Sequence, residues 1–223
     1  MKKHFLKIIS LLPVLSLACG IAHADVPKLP DPAIDTETTH AVPKSQTIVL
    51  AGGCFWGVQA VFQHLKGVTS AVAGYAGGAA DTAHYEMVST GTTGHAESVQ
   101  VTYDPSQITL GKILKVYFSV AHDPTELNYQ GPDTGTQYRS EIYFTTPEQE
   151  ENAKVYIDQL QKAKVFTAPI VTKVEKLPAF YPAEDYHQNY ATLHPDNAYI
   201  AINDLPKVDN LKKTYPELYK QTP

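Results

Sequence analysis

An α+β fold is what the sequence predicts, on three observations. Short runs alternate apolar and polar residues, as in Glu97–Tyr103, which suits strands of a half-buried sheet. Other stretches place apolar residues three and four apart, the spacing of amphipathic helices. Hydrophobic residues make up 43% of the 223 and charged residues 18%, the balance of a chain that buries a core.

Residues 1–24 have the pattern of a secretory signal. Lys2, Lys3 and Lys7 form a positive end, an apolar stretch runs from Ile8 to about Ala18, and Ala22-His23-Ala24 supplies a small-x-small cleavage site. The stretch is short for a membrane span and contains Pro13. Cys19 allows a second reading, a lipoprotein signal acylated at that cysteine, although Ser16 and Leu17 fit that pattern poorly. Either reading exports the protein, to the periplasm or the medium. Residues 25–45 hold Pro27, Pro30, Pro32 and Pro43 with no period, and read as a Pro-rich linker or loosely attached arm.

Regular pattern begins at Gln46, opening a domain over 46–219. Thr47–Ala51 reads as a strand that stops at Gly52-Gly53. Val58, Val61, Phe62 and Leu65 then sit at helical spacing. Val68–Tyr75 is a second strand, closed by Gly77-Gly78. Glu97–Tyr103 is a third, with Val99, Val101 and Tyr103 on one face and Asp104-Pro105 behind it. Leu110, Ile113, Leu114, Tyr117, Phe118 and Ala121 form the apolar stripe of a helix. Asp123–Tyr138 is a long polar loop. Arg139–Thr145 is a strand, and Pro147 opens a helix that buries Ala153, Tyr156, Ile157 and Leu160. Ile170–Glu175 is the last strand, Asp185–Leu193 a short helix, and 206–223 a tail with a further turn or two. The order β-α-β-β-α-β-α-β matches a ferredoxin-like split βαβ sandwich core with additional helices and a long coil C-terminal region. Helices are expected on one face of a mainly antiparallel sheet.

Composition excludes several functions. A net charge of −5 offers no basic footprint for nucleic acid. Two cysteines supply neither a disulfide framework nor a Cys-rich zinc site. His84, His95, His122, His187 and His194 form no close His-x-x-x-His pair, so no metal is expected. Phosphate loops, dinucleotide fingerprints and serine nucleophile elbows are absent.

Cys54 is the first candidate for chemistry. It follows a strand and opens a helix, where free backbone N–H groups and the helix dipole stabilise an anion. A thiol there is expected to have a lowered pKa and to be nucleophilic. The alternative is a small buried cysteine that packs a helix start. Phe55 and Trp56 beside it suit an apolar pocket mouth, with core packing open for one of the two. Glu97 is in phase with Val99, Val101 and Tyr103, so it faces inward. Burial would raise its pKa and leave it a neutral general acid; a strand-end Glu bent out to water is the alternative. The 123–138 loop carries Asp123, Asn128, Gln130, Asp133 and Tyr138, each also explicable as a turn former.

Four motifs together carry a resemblance. Gly53-Cys54-Phe55-Trp56-Gly57, Thr92-Thr93-Gly94-His95-Ala96-Glu97, Asp133-x-Gly135-x-Gln137-Tyr138-Arg139-Ser140 and Phe180-Tyr181-Pro182-Ala183-Glu184-Asp185-Tyr186-His187-Gln188 resemble, in order, the peptide methionine sulfoxide reductase A family. The resemblance implies attack of the Cys54 thiolate on the sulfur of an S-epimer methionine sulfoxide, free or in a protein. Glu97 would supply the proton, Tyr85 and Tyr138 would hydrogen-bond the sulfoxide oxygen, Phe55 and Trp56 would hold the methyl group, and Asp133 would support the site. Cys54 would be left as a sulfenic acid, with no cofactor involved. Many members resolve that acid with C-terminal cysteines, but residues 55–223 contain none. An external reductant, a small thiol or a thioredoxin-like protein, is therefore expected. Two other classes make distinct demands. A cysteine hydrolase needs His95 or His187 beside Cys54, and a binding module would tolerate Cys54→Ala.

Overall fold

The computed structural model describes residues 26–35 and 44–223; the signal pattern and Cys19 lie outside the described residues. The first expected strand runs over Gln46–Ala51 (β1), and its helix over Phe55–Gln63 (α1). Val68–Ala76 (β2) comes next, then a four-residue helix, Tyr85–Val88 (α2), and the alternating strand Ala96–Tyr103 (β3). Leu110–Val116 (α3) starts at Thr109, whose side chain accepts from the Lys112 N–H, and runs on into a π-helical turn over Tyr117–Ala121. Every residue of that turn is buried.

The polar loop then folds a small hairpin, Tyr129–Gln130 (β4) against Asp133–Thr134 (β5). Glu141–Phe144 (β6) leads to the longest helix, Pro147–Ala163 (α4). That helix is capped by Thr146, has Pro147 in its first turn, and is stopped by Lys164 in the left-handed conformation. Two short strands, Lys173–Lys176 (β7) and Phe180–Pro182 (β8), precede Tyr190–Leu193 (α5). A second π-helical turn, Ile200–Asp204, opens directly into Leu205–Thr214 (α6).

One mixed α+β sheet of six strands holds the molecule, in the order β7-β6-β1-β3-β2-β8. All neighbours are antiparallel except β6 and β7, which α4 connects in parallel. Alternation assigns the faces. Ile48, Leu50, Val99, Val101 and Tyr103 point into the main core, with Phe62, Ile113, Phe118 and Tyr156 from the helices. Val49, Ala51, Ala76, Ala96 and Tyr143 form a smaller cluster on the opposite face.

Four sequence expectations need correction. The described part of the Pro-rich stretch is docked: Leu29 is buried, Tyr156 donates to the Pro30 carbonyl, and Lys115 pairs with Asp31 at 2.6 Å. The segment Asp185–Leu193 is no single helix. It is a 3-10 turn at Asp185–His187 and then α5, separated by Asn189 at φ 59°. The C-terminal region is helical over α6, and its start packs beside α1. The last expected strand begins three residues late, at Lys173, because its pairing with Glu141 sets the register.

Candidate active site

The end of β1 delivers the Gly52-Gly53 turn to the start of α1. Gly53 sits at φ 88°, and a Cβ there would strike the Gln130 side chain, so glycine alone fits. Cys54 is the N-cap residue of α1 and is 8% exposed. Burial pushes its thiol well above the ordinary value, and the Glu97 and Asp204 carboxylates push the same way. The Trp56 N–H and the Lys207 ammonium pull it down by less. The expectation of a lowered thiol pKa is therefore wrong for the resting protein. The helix-start N–H is there, but removing the sulfur from water outweighs it.

Glu97 opens β3 opposite Tyr75 of β2 and is almost fully buried. Its Oε2 accepts from the Phe55 N–H at 3.0 Å. Burial is the largest influence and lifts the carboxyl to about 8, with Asp133 and Asp204 adding to the rise and the Phe55 N–H opposing it. At neutral pH the site thus holds a neutral acid beside a neutral thiol.

The other expected residues come to the same place. The Tyr85 and Tyr138 hydroxyls are pushed up, first by burial and then by Glu97; Cys54 also acts on each, and both stay protonated donors. Tyr85 is positioned by Glu184, which accepts from the Tyr85 N–H at 3.0 Å and from the Tyr75 hydroxyl at 2.8 Å. Phe55 is a core residue, packed on Tyr75 and His187 at centroid distances of 5.9 and 5.1 Å. Trp56 is half-buried: Tyr190 stacks on it at 3.9 Å, Tyr199 meets it edge-on, and its Nε1–H donates to His187 Nδ1. Asp133 accepts a hydrogen bond from the Tyr199 hydroxyl.

Sequence reasoning missed the contribution of the last third of the chain. Tyr190, Tyr199, Asp204 and Lys207 lie in or beside segments that read only as a short helix and a tail. A proline at the second position of a helix was available as a start signal at Leu205-Pro206, directly after Asp204.

Neither histidine required for hydrolysis bonds the thiol. His95 is held by the Gly78 N–H and the Ala79 carbonyl, and His187 by Trp56. A buried thiol beside a buried carboxyl, with neither histidine bonded to the thiol, is the arrangement of a thiol-dependent reductase more than of a hydrolase. Comparison narrows the class: residues 46–219 match the peptide methionine sulfoxide reductase family, and the chain belongs to it. It is 62% identical over 183 residues to "Peptide methionine sulfoxide reductase MsrA 2" of Mesorhizobium japonicum, covering 82% of this chain and 94% of that relative. A Synechocystis protein of the same name is 46% identical, covering 86% and 90%. Among solved structures, methionine sulfoxide reductase A of Corynebacterium diphtheriae is similar at a TM-score of 0.59 and 36% identity, covering 76% of this chain and 84% of that one. Reduced Mxr1 of Saccharomyces cerevisiae is similar at 0.62 and 35%, covering 69% and 88%.

Proposed function

We propose that the protein reduces the S epimer of methionine sulfoxide, in proteins and free, with Cys54 as nucleophile and Glu97 as acid. The observation that carries this reading is the neutral Glu97 carboxyl buried beside the Cys54 thiol at the helix start. The resting pair already holds the protons the reaction needs. Cys54 sulfur attacks the sulfoxide sulfur and forms an S–S bond while Glu97 protonates the sulfoxide oxygen, and the thiol proton passes to the Glu97 carboxylate so formed, which restores the neutral acid. The hydroxyl then moves from the substrate sulfur to the Cys54 sulfur as the S–O and S–S bonds break, which leaves Cys54 as a sulfenic acid and releases the sulfide. The net change is thiol plus sulfoxide giving sulfenic acid plus sulfide, with every proton accounted for. Tyr85 and Tyr138 donate to the oxygen, Trp56 forms the apolar wall for the methyl group with Phe55 behind it, and Asp133 fixes Tyr199 against Trp56.

Cys54 is the free cysteine among the described residues. An external thiol therefore condenses with the sulfenic acid, releasing water, and a second thiol frees Cys54 by disulfide exchange. A thioredoxin-like protein or a small thiol fits that role. The decisive experiment is turnover of a sulfoxide peptide with dithiothreitol. Cys54→Ser is expected to abolish turnover while keeping the fold, and retained activity overturns the mechanism.

Two finer readings go with this one. The strand order β6-β1-β3-β2, with α1 and α3 as its connections, supports a ferredoxin-like split βαβ core. Lys2, Lys3, Lys7 and Ala22-His23-Ala24 support export to the periplasm or medium; N-terminal sequencing of the protein from cells is expected to begin at Asp25.

A further inference from the structure

One charged pair, its carboxylate buried and its ammonium partly exposed, plays no part in the chemistry of Cys54 and Glu97 as derived so far. Asp204, the last residue of the second π-helical turn, is fully buried, and its Oδ1 lies 3.4 Å from Lys207 Nζ. Its Oδ2 is buried without a hydrogen-bond partner among the described residues. Burying a carboxylate with one oxygen unsatisfied is costly, so a purely structural role explains it badly.

The pair lies against the first turn of α1. A Cβ at Gly57 would collide with Asp204 Oδ1 and with Lys207 Nζ, so both charges occupy the space a side chain would take there. Gly57 is three residues after Cys54, and residues three apart share a helix face. The missing side chain at Gly57 thus brings two opposite charges onto the face that carries the sulfur. Both charges act on Cys54, Asp204 more strongly than Lys207.

We propose that Asp204 and Lys207 are positioning residues for the reaction, Asp204 keeping the Cys54 sulfur protonated at rest and Lys207 compensating the negative charge the sulfur carries during attack. The proposal rests on Cys54 being the attacking group. It gives the orphaned oxygen a purpose: a negative charge only partly offset by Lys207 keeps the thiol from standing as an easily oxidised thiolate. Other groups also face this sulfur. Glu97 comes from β3, Tyr85 from α2, Tyr138 from the loop, and Tyr199 from the C-terminal segment; Asp133 acts on Glu97, and Glu126 and His122 feel Lys207. None of them is altered in the Asp204 and Lys207 variants, so their influence is common to all the proteins compared.

The test follows the pH dependence of Cys54 alkylation by iodoacetamide in the full chain, read at the Cys54 peptide by mass spectrometry, beside the pH profile of sulfoxide turnover. Asp204→Asn is expected to move the thiol midpoint down by roughly half to one pH unit, giving several-fold faster alkylation below the midpoint. Adding Lys207→Met to that variant is expected to move the midpoint back up, because the remaining positive charge is gone. Lys207→Arg keeps the charge and the wild-type midpoint. A merely structural pair would not shift a titration in opposite directions. An Asp204→Asn midpoint at or above wild type overturns the proposal, as does a double variant that titrates like Asp204→Asn. Should Asp204→Asn fail to fold, Lys207→Gln against Lys207→Arg carries the test, and identical midpoints overturn it. A moved alkylation midpoint with an unmoved turnover profile overturns the link to the reaction. Absence of sulfoxide turnover in the wild type defeats the functional reading instead, and leaves the alkylation result to stand or fall separately.

Discussion

Glu97 and Glu141 flank the same end of β1, one on β3 and one on β6, and both are almost fully buried. Their surroundings differ completely. Glu141 pairs with Ala51 on the minor-core face; its Oε2 takes a 2.5 Å ion pair from Arg139 Nε and a 2.7 Å hydrogen bond from Tyr143, and Arg139 itself bonds the Gly94 carbonyl. Glu97, on the α1 face, has a single backbone N–H as its partner among the described residues and is driven to about 8. Equal burial therefore produces a matched ion pair on one face and an uncompensated acid on the other. The partner set, more than the depth, separates the proposed acid from the structural carboxylate.

The comparison breaks most visibly in single-turnover kinetics. Glu97→Gln is expected to slow the sulfoxide step by roughly 10²–10⁴-fold with little change in binding, since the amide hydrogen-bonds but gives no proton. Glu141→Gln is expected to leave that step intact per folded molecule. Equal rates for wild type and Glu97→Gln would move the proton source to Tyr85 or Tyr138.

Stability should reverse the ranking. Glu141→Gln strands Arg139 in a mostly buried position and is expected to cost about 3 kcal/mol in denaturant unfolding. Glu97→Gln is expected to stabilise the protein in alkaline solution. The sign comes from the raised carboxyl. Glu97 contributes fully below its ordinary value of 4.5, where folded and unfolded chains both hold the proton. Above that the unfolded chain ionises first, so the contribution is lost as pH climbs through about 8. A melting series from pH 5 to pH 8 should fall for wild type and flatten for Glu97→Gln. A parallel fall in both would show that Glu97 is not the group responsible.

Asp133 is the intermediate case, a carboxylate partnered by the Tyr199 phenol. Tyr199→Phe removes one hydrogen bond, worth about 1 kcal/mol. The expected result is a KM raised up to about five-fold with kcat nearly kept, and a fall in kcat alone would place Tyr199 in the chemistry itself.

The residues legible from sequence were those whose placement obeys local rules. Cys54 lies between a strand and a helix, and the phase of Val99, Val101 and Tyr103 put Glu97 inside without any tertiary knowledge. The protonation of Cys54 was misjudged because the helix-start rule is local, whereas desolvation and the Asp204 charge come from the packed fold. Asp204 and Lys207 had no signal at their own positions, because a buried ion pair and a surface pair read alike in sequence. β8, only three residues long, has no measurable alternation, and the docking of residues 26–35 depends on an α4 partner, Tyr156, more than a hundred residues away.

The two π-helical turns make the site sensitive to residue count. The first ends just before His122, whose ring fills the space beside Gly52 and bonds Ser140 at 2.6 Å; the second ends at Asp204. Each turn spends a residue more than an α-helix would over the same path. Deleting one residue within either would remove that surplus and leave α-helical winding over the same path, with the downstream backbone kept in direction. Inserting one more residue would instead turn the downstream backbone by about 100°. An insertion in the first turn would swing the His122 ring away from the turn before Cys54, and one in the second would carry the Asp204 carboxylate away from Gly57. Substitutions in these segments are a question of volume, but a gained residue alters angles, so an insertion far from Cys54 in sequence would dismantle the ground beneath it.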